Sequence, residues 1–313
     1  MNYGDLIRDA YRITLHNRFL WFFGFFAGGT GTNFVGNVPS GGSNFNFDDF
    51  QRSDAGLTAQ VGQGLSETVL ILGIVVVVLL IALFFIILAI ISQGALADSV
   101  AAMDRGEGRR FGSAFSSGTG NFWRVLGYYV VFFLIALGLL MVIAIPVALL
   151  IGGTFAATQS TGARVSVAVV VGILAVLLLI VVFIPLSIIG QYALRDIVVR
   201  RERVLGSVGS GYGLFRHNIG RCLLLWLIQL GLSIGIGIAF ILLLLIVGLI
   251  LALPAIGLAV AGYTTVAIIA AVIAGLILLP ILLVATGAIG TFFHAYWTLA
   301  YLRLTTEATP RVV

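Results

Sequence analysis

The chain has 313 residues, of which 60% are hydrophobic and only 9% are charged. A soluble domain carries about 25% charged residues, so this composition excludes an ordinary globular protein and points to lipid as the solvent. The formal charge of +5 is carried by arginine alone, because the sequence contains no lysine; a Walker-type phosphate loop and a Schiff-base amine are thereby excluded.

The first predicted element is a short amphipathic helix. Tyr3, Leu6, Ile7, Ala10, Tyr11, Thr14 and Leu15 recur at helical spacing on one face, and Asp5, Arg8, Asp9, Arg12 and His16 mostly take the other. Asp5 and Asp9 also break the basic region that a secretory signal needs. A bilayer core of roughly 30 Å asks for about 20 helical residues. Six spans of that kind are predicted: residues 19–38, 69–91, 126–150, 167–189, 223–249 and 265–289. The first is the weakest, since its second half is rich in glycine and polar residues. Residues 30–67, which follow, read as an outer loop. Residues 222–302 contain no Asp, Glu, Lys or Arg at all. Pro146, Pro185 and Pro280 fall within or near spans, where neighbouring helices satisfy the freed carbonyls.

Arginine placement sets the direction. Fifteen arginines fall in the N-terminal segment, the second-to-third connector, the fourth-to-fifth connector and the C-terminus; only Arg52 and Arg164 fall on the other side. The positive-inside rule then makes both termini cytoplasmic. Trp21, Trp123, Trp226 and Trp297 sit near the same ends, as an interfacial aromatic belt requires.

The sequence repeats at about 100 residues. Gln93-Gly-Ala-Leu-Ala-Asp98 matches Gln191-Tyr-Ala-Leu-Arg-Asp196 at four positions of six. An aromatic residue precedes an asparagine by six positions in three places: Tyr11 and Asn17, Phe115 and Asn121, Tyr212 and Asn218. An apolar run follows each asparagine. The expected architecture is an all-α integral membrane protein of six transmembrane helices, built from three parallel two-helix repeats with cytoplasmic amphipathic helices. The units are residues 1–97, 98–195 and 196–313. The amphipathic face in the third unit is read as Ile197, Val204, Leu205, Val208 and Tyr212. The pattern from Tyr212 to Trp226, an amphipathic Arg-rich helix and then a long aliphatic span, resembles a group of bacterial six-span proteins. These are similar to the membrane domain attached to some glycerophosphodiester phosphodiesterases. The resemblance implies fold and location only, because the catalytic domain of those enzymes has no counterpart here.

No catalytic, cofactor or metal motif is present. Cys222 is the single cysteine, and the histidines lack a His-x-x-x-His spacing. GxxxG pairs at Gly24/Gly28 and Gly231/Gly235 mark close helix packing. Asp98 and Asp196 end the second and fourth spans, with Arg124 and Arg221 as their expected partners. Gln93, Asp98, Gln191, Asp196, Asn17, Asn121 and Asn218 are therefore the candidate polar contacts between repeats. Arg200, Arg201 and Arg203 cluster at the expected headgroup plane and are the candidate lipid-headgroup residues. The partners implied are anionic membrane lipids and a protein partner or second copy, not nucleic acid. The leading function is a non-enzymatic scaffold or accessory subunit; the alternative is a transporter or lipid-handling permease.

Overall fold

The structure is a computed structural model and describes residues 2–30 and 64–308. Among the described residues every regular element is helical: α1 (Tyr3–His16), α2 (Leu20–Thr30), α3 (Gly64–Asp104), α4 (Phe111–Gly120), α5 (Phe122–Ala157), α6 (Thr161–Val199), α7 (Val204–His217), α8 (Ile219–Val260) and α9 (Thr264–Ala308). Five of these, α3, α5, α6, α8 and α9, are long and apolar enough to cross a membrane. α2 has eleven residues, about 16 Å at 1.5 Å per residue, and so covers about half a bilayer core. The rest of the expected first span, residues 31–38, lies outside the described residues. So do most of the expected outer loop, Arg52 and Arg311.

The short helices owe their ends to asparagine. Asn2 caps α1 by accepting from the Gly4 N–H at 3.1 Å. At the other end the Asn17 side-chain amide donates to the Ile13 carbonyl at 3.0 Å. Asn121 repeats this on Ser117 at 3.0 Å and Asn218 on Leu214 at 3.3 Å. Each amide thus satisfies a carbonyl of the last turn, and the backbone leaves its helical path at that residue. A new helix starts within three residues of each.

These helices bury one narrow stripe. It comprises Leu6, Ala10 and Thr14 in α1, Ala114 and Gly118 in α4, and Ser207, Gly211 and Phe215 in α7. Counted back from the asparagine, the buried positions are three, seven and eleven residues away. The aromatic six residues back points away in every case: Tyr11 is 58% exposed, Phe115 36% and Tyr212 53%. Two expectations about faces are corrected here. Tyr11 and Leu15 are exposed rather than packed, because a stripe spaced by four leaves no room for them. Ile197 belongs to α6, and Leu205 and Tyr212 are exposed, so the packed face of α7 is the one carrying Ser207 and Gly211.

α1 packs on α9, α4 on α3, and α7 on α6. α3, α6 and α9 also touch one another, while α2 lies against both α9 and α3. The first and last parts of the chain are therefore neighbours. The α2–α9 seam is made of glycine: a Cβ on Gly24 would run into the Gly287 carbonyl and Thr291, and one on Gly290 into the Gly24 carbonyl. A backbone approach this close is what small-residue motifs permit. The expected second motif does not pack this way, since a Cβ on Gly231 or Gly235 meets nothing within 4 Å.

The packed core sits at the Arg-rich end of the long helices. Leu6, Tyr192, Cys222, Tyr296 and Trp297 share one cluster, Val125, Leu194 and Ile197 a second, and Leu20, Phe23 and Leu96 a third. Away from that end much of the helical surface is open, and residues 71–87 of α3 are all exposed. Exposed leucine, isoleucine and valine in such numbers require a hydrocarbon surround. Pro146, Pro185, Pro254 and Pro280 lie inside continuous helices.

Candidate functional site

The Arg-rich end gathers the polar chemistry of the described chain. Asp196, one turn from the end of α6, is 2% exposed. The Tyr301 hydroxyl of α9 donates to its Oδ1 at 2.5 Å, and the Ser210 hydroxyl of α7 to its Oδ2 at 2.5 Å. The Arg200 guanidinium stands 3.8 Å from Oδ1. Asp196 thus ties three helices together. Asp98, its sequence counterpart, is more open. It pairs at 2.9 Å with Arg109 in the α3–α4 turn and not with Arg124, because the turn folds back over the helix end.

The two glutamines diverge in the same way. Gln93 donates from Nε2 to the Ala27 carbonyl of α2 at 2.8 Å, while its Oε1 is buried without a partner. Gln191 accepts from Arg195, whose Nη1 also donates to the Gln191 carbonyl at 2.9 Å. The hydrogen bonds of Asn17, Asn121 and Asn218 described above run to their own preceding helices.

Arg200, Arg201 and Arg203 form the turn between α6 and α7. Arg200 ends α6 and sends its N–H to the Asp196 carbonyl at 3.0 Å. Arg201 has φ of +57°, a region that costs a non-glycine residue about 1 kcal/mol or more. Arg203 stands extended before the first turn of α7. The turn therefore directs three guanidinium side chains from one short loop.

One residue escaped the sequence reading. Arg195 counts among the connector arginines, yet it is completely buried. Its Nε and Nη2 have no partner, and His294, which is 1% exposed, lies beside the Ala27 carbonyl without a hydrogen bond of good geometry. Tyr128, Tyr129, Tyr192 and His294 lie within electrostatic reach of the guanidinium. The available signal was its place inside the Gln191–Asp196 element, one helical turn after Gln191, where the first copy has Ala97. Among the described residues no group of three His, Cys, Asp or Glu side chains could hold a metal ion.

Five long apolar helices rooted in one packed end define a multi-pass membrane protein. The chain belongs to DUF7544, a family of unknown function that matches residues 19–309. No curated protein and no solved structure matches it.

Proposed function

We propose that the chain is a six-span plasma-membrane scaffold or accessory subunit, with both termini cytoplasmic, that acts through lipid and protein contacts rather than catalysis. The observation that carries this reading is the repeated design of the three short helices. Each fastens one stripe to a long helix and turns an aromatic ring outward at the level of the arginines. Amphipathic rings and guanidinium groups at one level suit a headgroup region. The short helices α4 and α7, each leading into a longer apolar helix, and α1, leading into the apolar α2, also support division of the chain into three parallel units. α2 begins the sixth crossing, and the fifteen-to-two arginine count favours this end as cytoplasmic. Polar side chains between helices act as ties: Thr291 donates to the Leu20 carbonyl at 2.9 Å, Tyr128 to Gly190 at 3.0 Å and Tyr296 to Leu225 at 2.8 Å.

A transporter is the second reading, favoured by the unpartnered Arg195 and Gln93 groups in the core. The test of the first is lipid retention. Arg200, Arg201 and Arg203 each add on the order of 1 kcal/mol of attraction to an anionic surface before screening. Replacing all three by Gln is expected to lower anionic-lipid retention and weaken its dependence on salt. A triple variant that holds anionic lipid as the parent does would leave these arginines as topology determinants only.

A further inference from the structure

A cavity of about 280 Å³ opens between α7 and α9, with α6 as its floor. Asp196 lies at the bottom, Arg200 and His217 belong to its lining, and Gly213, Leu214 and Thr305 help form the walls. The electrostatics of this groove are incomplete in a specific way. A carboxylate offers about four lone-pair sites, and the hydroxyls of Tyr301 and Ser210 take two of those on Asp196. Its cationic partner Arg200 stands at 3.8 Å, beyond hydrogen-bonding distance, with half its side chain in the open. The floor is thus anionic with acceptor capacity to spare, and the exposed Arg200 can turn toward an anion, whereas His217 keeps its Nδ1 on the Gly213 carbonyl at 2.8 Å.

We propose that this groove holds a phosphate–ammonium zwitterion, the headgroup of an aminophospholipid, with its ammonium on Asp196 and its phosphate on Arg200. A lone phosphate would meet the carboxylate, and a lone amine would leave the guanidinium unused; a molecule carrying both charges a few bonds apart answers each. The volume lies at the small end of ligand sites, as a headgroup without its acyl chains requires. The lipid source rests on the reading above that this face lies at the headgroup plane, where acyl chains reach the exposed apolar surface beside α7.

The test is native mass spectrometry of the full chain in mild detergent with equal amounts of phosphatidylethanolamine and phosphatidylglycerol bearing identical acyl chains. One phosphatidylethanolamine should be retained per chain, with roughly tenfold preference. Asp196→Asn should remove the preference. Gly213→Phe should do so without touching the carboxylate's hydrogen bonds, because a Cβ there meets nothing within 4 Å. Salt-sensitive phosphatidylglycerol retention should persist in both variants, which separates this pocket from the general arginine surface. Free phosphoethanolamine that displaces the lipid at equal concentration would assign the same chemistry to a soluble occupant; failure to displace it assigns the lipid. Equal retention of the two lipids, or unchanged retention in Gly213→Phe, overturns the proposal.

Discussion

Gly24 and Gly290 meet across the α2–α9 seam where even a methyl group would strike a backbone carbonyl. Backbone cannot yield as a flexible side chain does, so overpacking there costs about 1–3 kcal/mol or more. Gly24→Leu should lower the melting temperature in detergent clearly, while Gly231→Leu, which faces open space, should leave it nearly unchanged. Equal melting temperatures for the two variants would mean that the seam does not form. Arg195 makes the opposite prediction. A buried cation with two unpartnered nitrogens is an electrostatic cost, and replacing buried ionic groups by hydrophobes of similar size often gains about 1–4 kcal/mol. Arg195→Met should therefore raise the melting temperature. A marked fall would mean that the guanidinium makes interactions worth more than its burial costs. The sequence offered Arg195 as one more basic residue near a helix end. Its burial depends on Tyr128 and His294 arriving from other helices, which spacing along one helix does not encode.

The helices show where pattern suffices and where it fails. The long spans were legible because an apolar run in a chain this poor in charge has one solution, and all five described spans overlap predicted ones. The asparagine breaks were legible too, since each separates a mixed helix from an apolar one. The packed faces were legible only in part: Leu6, Ala10 and Thr14 of α1 are buried as expected, whereas Tyr11 and Leu15 are not. α7 buries Ser207 and Gly211 against α6 and leaves Leu205 and Tyr212 exposed. In lipid, close approach between helices rewards small residues, and large apolar ones lose nothing by facing hydrocarbon. Hydrophobic periodicity therefore marks such a face only in part: Val204 and Val208 pack as expected, whereas Leu205 and Tyr212 do not. The partner of Asp98 was missed for a related reason: it comes from the fold-back of a turn, not from the facing helix. α2 ties its stability to its neighbours. Its Ala27 carbonyl accepts from Gln93, its Leu20 carbonyl from Thr291, and its glycines lie on α9. A fragment of residues 1–56, which lacks all three partners, should insert poorly in a translocon assay; efficient insertion on its own would show that α2 needs none of them.

At the scale of the molecule, the long helices run 36 to 45 residues, about 54–68 Å, whereas a bilayer core is about 30 Å thick. Their packed ends meet around α3, α6 and α9, and much of their remaining length is exposed apolar surface. α1 and α2 dock on α9, so the start of the chain lies against its last long helix at the Arg-rich end. The central claim is that this end is cytoplasmic and that six crossings bring the chain back to it. The most direct measurement is a pair of topology reporters, one fused after Val313 and one inserted at Ser43. The account predicts opposite sides, with Val313 in the cytoplasm. Reporters on the same side would contradict the six-span arrangement, and Val313 outside would reverse the face assigned to the arginines.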